Sequence, residues 1–179
     1  EAVRLQAKTF ERLVIGQIEE TQGAKAGTDP LQHYLRVVTE KTGSLIATSA
    51  RFGAMFGGAP AENIELLTNF GEKIGIAFQL ADDVIDIASD SNQSGKTPGT
   101  DLKEGVPTLV TLQIMRSNDP KDATLREKLS KPVPESEVAS VIAELRSHQA
   151  LVDAKRYLHG LAGEAKELLK ELPANNSRA

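Results

Sequence analysis

Cysteine and tryptophan are absent from this sequence of 179 residues, and aromatic residues make up only 4% of it. The absence of cysteine excludes disulfides, thiolate chemistry and cysteine-based metal sites. No apolar run approaches the length of a membrane span. The net charge of −4 gives no reason to expect nucleic acid as a partner. We expect a cytoplasmic protein with enough apolar residues for a sizeable core.

Apolar residues recur at helical spacing along most of the chain, whereas the alternation typical of strands is almost absent. The sequence therefore predicts an all-α fold, with a single domain over residues 1–172 and a disordered tail over 173–179. The expected helices cover residues 2–21, 30–56, 60–88, 107–117, 123–129, 135–146 and 149–172. Residues 89–105 are expected to form a polar loop.

Three aspartates, Asp82, Asp83 and Asp86, lie within the apolar pattern of the third expected helix. Residues three and four apart share a helix face, so these carboxylates form one polar stripe with Gln79. Their mutual repulsion lowers helix stability unless a cation compensates, and clustered carboxylate oxygens suit a hard ion such as Mg²⁺. The alternative is an acidic face that is merely solvated, but the small and apolar flanking residues favour a metal site.

Basic residues and turn-forming residues follow the aspartates. Lys96 and Lys103 lie in the expected loop, where Gly95, Pro98 and Gly99 allow sharp turns. A lysine on such a loop can neutralise phosphate oxygens that a metal ion leaves uncovered. This combination favours a diphosphate ligand.

The second expected helix carries Lys41 and Thr42 among apolar residues. A lysine in this position can also reach the surface along its apolar stem, without any function. Further along, small residues share one helical face: Ala50, Gly53, Ala54 and Gly57. Such a face permits either close helix packing or an open channel beside the helix.

Together these segments resemble the trans-isoprenyl diphosphate synthases, also called polyprenyl synthetases. The resemblance is carried, in chain order, by GQIEE (16–20), EKTGSLIATSARFGA (40–54), FGEKIGIAFQLADDVID (70–86), GKTPGTDLKEGVPTL (95–109) and ALVDAKRYLHGLAGEAKELL (150–169). Several motifs in the right order are far more specific than one short pattern. The resemblance implies the isoprenoid synthase fold, a helical bundle around a central cavity.

The resemblance also implies roles for individual residues. The second aspartate-rich motif of the family, which holds Mg²⁺ against an allylic diphosphate, is matched by Asp82, Asp83 and Asp86. The expected catalytic residues are Lys41, Thr42 and Gln79. The residues expected to bind substrate are Gln17, Lys41, Thr42, Gln79, Lys96 and Asp101, of which the last is expected to order the loop.

The activity that the resemblance implies is the Mg²⁺-dependent condensation of isopentenyl diphosphate with an allylic diphosphate, giving all-trans polyprenyl diphosphates. Family members are commonly homodimers, and some pair with a different subunit. The low aromatic content favours chain elongation over terpene cyclisation, since cyclases commonly stabilise their cations on aromatic walls. The small-residue face favours a medium or long product.

The sequence departs from the family pattern in two places. Gly105-Val106 stands where the family often has a second Gly-Lys pair, and no second Asp-Asp-x-x-Asp occurs in the chain, although the family has one on an earlier helix. We therefore expect these residues to be the C-terminal part of a longer protein, inactive alone. Two other interpretations remain open: a non-catalytic helical subunit or fragment, and a helical scaffold with a solvated acidic stripe.

Overall fold

The structure is a computed structural model of the chain, and it describes residues 1–88 and 98–174. Within these ranges no strand occurs, and the predicted all-α fold is confirmed. Two compact units are present, Glu1–Gln79 with His159–Ala179 and Leu80–Leu158. The prediction of a single domain over residues 1–172 stays a prediction.

The first unit begins with helix α1, Ala2–Gln22, which ends at Gly23. Helix α2, Pro30–Val38, is capped by Asp29, whose Oδ1 accepts a hydrogen bond from the Leu31 N–H at 3.0 Å. An aspartate before a proline predicts such a start, because the side chain satisfies a free N–H and proline has none to satisfy.

A π-helical turn, Thr39–Gly43, joins α2 to helix α3, Ser44–Phe56. The predicted helix over residues 30–56 is therefore helical throughout but has one turn of wider winding. Hydrophobic periodicity does not reveal such a turn, because it disturbs the pattern over only a few residues. Helix α3 ends before Gly57 and Gly58, as predicted.

Helix α4, Ala61–Ala88, is the long helix that carries Gln79 and the three aspartates. A Cβ at Gly75 would lie 2.8 Å from the Cα of Gly43, and a Cβ at Gly71 would lie 2.9 Å from the Cα of Ala47. Side chains larger than hydrogen therefore do not fit at these two glycines. The first unit thus brings α4 into backbone contact with α3 and the π turn.

The second unit contains the end of α4 and the helices that follow it. These are α5, Thr100–Glu104; α6, Leu109–Met115; α7, Ala123–Leu129; α8, Glu135–Ser147; and α9, Gln149–Leu169, whose last part belongs to the first unit. The prediction of a loop over residues 89–105 is wrong for its last residues, which form helix α5. Residues 89–97 of the predicted loop lie outside the part of the chain that the structure describes. Five residues between two glycines are too few to give a periodic pattern.

The core of the second unit is aliphatic. Its fully buried large side chains are Leu80, Ile87, Val110, Ile114, Val141 and Leu145. Among the helices that the structure describes, none combines the length and apolar character that a bilayer crossing requires.

Candidate functional site

The π turn of the first unit presents the predicted pair Lys41 and Thr42. The Lys41 Nζ donates a hydrogen bond to the Glu20 Oε2 at 2.6 Å, and the Gln17 Nε2 donates to the same oxygen at 3.0 Å. Glu20 thus brings together two residues that the sequence predicted separately. It also holds the lysine charge that a diphosphate would need.

Thr42 contacts the predicted glutamine of α4. The Thr42 Oγ1 donates to the Gln79 Oε1 at 3.2 Å. This contact is possible because the neighbouring glycines, Gly43 and Gly75, let the two backbones approach closely. The predicted catalytic residues Thr42 and Gln79 therefore do lie side by side.

Helix α1 packs on the other side of the π turn. A Cβ at Gly16 would lie 2.9 Å from both the Glu40 Cβ and the Lys41 Cγ. Glycine at this position lets α1 lie directly against the turn, with Gln17 beside it. Single π turns inside helices occur frequently at functional sites.

An ion-pair cluster that sequence reasoning missed lies next to Lys41. The Arg12 Nε donates to the Glu40 Oε2 at 2.7 Å, and the Arg12 Nη2 donates to the Glu72 Oε1 at 2.9 Å. The hydrogen bond to Glu40 raises the pKa of Arg12 above its ordinary value, although burial acts in the opposite direction. The partners are 28 and 60 residues away in sequence, so local spacing gives no signal for this cluster.

In the second unit, the aspartates of α4 lie beside α5. Asp83 is 5% exposed, whereas Asp82 and Asp86 are half-buried. The Asp86 carboxylate accepts hydrogen bonds from the backbone N–H groups of Thr100 and Asp101, both at 3.3 Å. The Asp86 side chain therefore holds the start of α5, which places Asp101 at the aspartate stripe.

The negative charges of this cluster are close enough to affect one another. Burial raises the pKa of Asp101 to about 7, and the charges of Asp86, Asp83 and Asp82 act in the same direction. The neighbouring negative charges thus add to the effect of burial at Asp101. A divalent cation would offset these charges.

A metal ion at the aspartate stripe would need further ligands from water or from a bound anion. Within residues 1–88 and 98–174, no group of three or more histidine, aspartate or glutamate side chains is arranged to hold one ion. Mg²⁺ commonly binds through one or two carboxylates and takes its other ligands from water and phosphate oxygens. The donor set of the aspartate stripe is therefore compatible with Mg²⁺ bound together with a diphosphate.

Gly99 fixes the position of α5. Its φ of 79° lies in the left-handed region, and a Cβ there would lie 2.5 Å from the Val138 Cγ1 and 2.9 Å from the Ile142 Cδ1. Only glycine satisfies both constraints. The close approach of α8 thus determines where Asp101 lies.

Comparison with known proteins decides the family. A family model described as polyprenyl synthetase matches residues 1–145. The chain belongs to the polyprenyl synthetase family.

Individual synthetases are similar over nearly the whole chain. The nonaprenyl diphosphate synthase of Mycobacterium tuberculosis is 47% identical over 97% of this chain and 52% of its own length. Component 2 of the heptaprenyl diphosphate synthase of Geobacillus stearothermophilus is 32% identical over 96% of this chain and 53% of its own length. The chain thus spans about half the length of the curated relatives that it matches.

A solved synthetase structure has the same fold. The geranylgeranyl pyrophosphate synthase of Corynebacterium glutamicum, complexed with calcium and isoprenyl diphosphate, superimposes with a TM-score of 0.89. It is 39% identical, and the match covers 99% of this chain and 55% of that chain. The all-α isoprenoid synthase fold is therefore shared with a protein that binds a divalent cation and a diphosphate.

The structure accounts for only part of the predicted small-residue face. On the small-residue face, Ala50 packs closely on Gly71 and Ala54 is buried, whereas a Cβ at Gly53 would meet nothing within 4 Å. Close packing thus explains part of this face, and Gly53 borders open space. Lys96 lies outside the described residues. The predicted roles of the site residues stay predictions.

Proposed function

We propose that this polyprenyl synthetase chain serves the Mg²⁺-dependent condensation of isopentenyl diphosphate with an allylic diphosphate. The observation that carries the proposal is the crowded carboxylate cluster of Asp82, Asp83, Asp86 and Asp101, with Asp83 buried. The similar synthase from Corynebacterium glutamicum, complexed with calcium and isoprenyl diphosphate, supports it.

The aspartates Asp82, Asp83 and Asp86 would hold the cation. When bound, Mg²⁺ would draw electron density from the allylic diphosphate and so favour its departure. Asp86 would have a second task in this scheme, because its contacts with the α5 backbone hold Asp101 beside the other aspartates.

The polar residues of the first unit would act on the organic substrate. The Lys41 ammonium would leave Glu20 and donate to the diphosphate oxygens, where negative charge grows as the carbon–oxygen bond breaks. The oxygen atoms of Thr42 and Gln79 would face the electron-poor carbon and orient it toward the attacking double bond. Gln17 and Lys96 would add donors for the diphosphates.

Calorimetry tests the proposal directly. We expect the chain to take up inorganic diphosphate only when Mg²⁺ is present, and we expect Asp82→Asn and Asp83→Asn to weaken this binding at least about tenfold each. Asp153→Asn is the matched control, since Asp153 is an aspartate of α9 that pairs with Arg156 at 2.7 Å.

Two results would contradict the proposal. One is diphosphate binding that is equal in the three variants. The other is a thermal shift assay in which Mg²⁺ with diphosphate gives no protection while Asp82→Asn alone stabilises the protein. The second result would favour the scaffold with a solvated acidic stripe.

We further propose a product of medium or long chain. The similarity to a nonaprenyl diphosphate synthase supports this choice. Products from isopentenyl and farnesyl diphosphates, separated by chain length, check it in a preparation with activity. Products confined to C10 or C15 would contradict it.

A second candidate function is that of a subunit that works only with a partner chain. Its support is the similarity to a protein named as component 2 of a heptaprenyl diphosphate synthase.

We propose that the chain forms a homodimer, and light scattering distinguishes this homodimer from a monomer. We expect the chain alone to show no turnover, and turnover by the purified chain would contradict that expectation.

A further inference from the structure

Arg12 connects three helical elements of the first unit. It lies on α1, contacts Glu40 in the π turn through two nitrogen atoms, at 2.7 and 3.3 Å, and contacts Glu72 on α4 at 2.9 Å. The planar guanidinium donates in a fixed fork, so these contacts define the direction of the Glu40 side chain.

The Glu40 contact acts close to the predicted chemistry. Glu40 directly precedes Lys41 and Thr42 within the five residues of the π turn. These residues lack the regular α-helical bond pattern, and the turn is held between Gly16 on α1 and Gly75 on α4. A fixed Glu40 therefore limits how the turn can rotate between the two helices.

The burial of the cluster separates it from ordinary surface ion pairs. The Glu40 side chain is 23% exposed and the Arg12 side chain 37% exposed. Charged hydrogen bonds that are partly shielded from water contribute more than exposed ones. Breaking them should therefore have a measurable local effect.

We propose that Arg12 is a positioning residue that orients the π turn and thereby sets the positions of Lys41 and Thr42. The expected consequence of this orientation is tighter diphosphate binding, and that consequence rests on the proposed function. The orientation itself can be measured without any ligand. Arg12 is not assigned any contact with substrate.

The test compares Arg12→Met with Arg51→Met in the full chain. Arg51 also joins two helices of the first unit, because it donates to Glu65 at 2.9 Å from α3 to α4, and its side chain is 30% exposed. Both variants lose an interhelical ion pair. Only Arg12→Met loses a contact to the π turn.

The first measurement is backbone amide exchange without ligand, at a temperature where all proteins are folded. We expect exchange in residues 39–44 to become at least about fivefold faster in Arg12→Met and to stay unchanged in Arg51→Met. Equal protection of these amides in wild type and Arg12→Met would overturn the proposal, whatever the chain binds.

The second measurement is calorimetry with Mg²⁺ and inorganic diphosphate. We expect affinity to fall about tenfold in Arg12→Met and in Glu40→Gln, with no further fall in the double variant, because both changes remove the ion pair between Arg12 and Glu40. Arg51→Met should change affinity by less than about twofold. Faster amide exchange in Arg12→Met with unchanged affinity for diphosphate would overturn the positioning role. If the wild-type chain does not bind diphosphate, that result contradicts the proposed function. The exchange data alone then decide whether Arg12 orients the π turn.

Discussion

The two units of the chain are packed in different ways. In the described part of the first unit no leucine or isoleucine is buried, and its buried residues are mostly small: Gly16, Gly43, Ser44, Ala47, Gly71, Gly75 and Ala77 among them. In the second unit the buried residues are mostly leucine, isoleucine and valine, from the end of α4 through α9. The packing of the first unit therefore depends on close contact between helix backbones, whereas that of the second unit depends on the burial of aliphatic side chains.

The difference in packing matches where the polar candidate residues lie. The small residues of the first unit bring the π turn against α1 and α4, and the contacts of Lys41 and Thr42 depend on that closeness. Several of its larger apolar side chains are exposed, including Val3 at 82% and Phe10 at 66%. The second unit has a continuous aliphatic core that can hold Asp83 and α5 in place.

The largest expected effect is the loss of a leucine from the second unit. Leu145 is fully buried, so Leu145→Ala should lower the free energy of unfolding by about 3–5 kcal/mol. In the first unit, Val38 is 5% exposed, and Val38→Ala should cost only about 2 kcal/mol. Urea unfolding of both variants checks the comparison, and a larger loss for Val38→Ala would refute it.

The next effect concerns two glycines of the first unit. Gly75→Ala should destabilise the protein by about 1–3 kcal/mol, because the added Cβ meets the Gly43 backbone. Gly53→Ala is the matched control, in which the same substitution has open space and should stabilise the helix by about 0.5–1 kcal/mol. Thermal unfolding measures both signs. Stabilisation by Gly75→Ala would show that the backbones do not touch.

A smaller effect is expected at Glu20. Glu20→Gln removes the negative charge that holds Lys41 but leaves an oxygen for Gln17, so the lysine becomes available to an anion. We expect the affinity for diphosphate with Mg²⁺ to rise about two- to fivefold, in line with a half-exposed ion pair. Calorimetry checks this change. A fall in affinity would mean that Glu20 itself supports the ligand.

The smallest effect belongs to the second unit and depends on pH. Hydrogen bonds from Ser117 and His148 lower the pKa of Asp122, so its ionised form stabilises the folded state. That contribution is complete above the unfolded value of about 3.9 and is lost as the pH falls through the lower, folded value. Asp122→Asn should therefore have a lower Tm than wild type at pH 6. The difference should shrink as the pH falls below about 4 and close once the pH is below the folded value, and a difference that persists there would point to a cause other than charge.

Much of the fold follows from sequence patterns. Helical periodicity predicts the helices, and cap residues such as Asp29 and Gly57 predict where they begin and end. Helix α5 is not predicted, because its five residues are held by tertiary contacts of Asp86 and Gly99 rather than by their own pattern.

The candidate site was partly predictable. Spacing on one helix face groups Asp82, Asp83 and Asp86, and the family resemblance adds Lys41 with Thr42. The contacts of Arg12 and Glu20 were missed, because they join residues far apart in sequence and depend on how α1 meets the π turn. Long-range charge pairing of this kind has no local signal.

The winding of residues 39–43 has a consequence for insertions and deletions. A π turn accommodates one residue more than regular α-helical winding would at the same place. Loss of a single codon there would let α2 run smoothly into α3 with little rotation of one helix relative to the other, because regular winding covers the same turn with one residue fewer. Such a shortened protein would keep its helices but lose the wide turn that carries its lysine between α1 and α4.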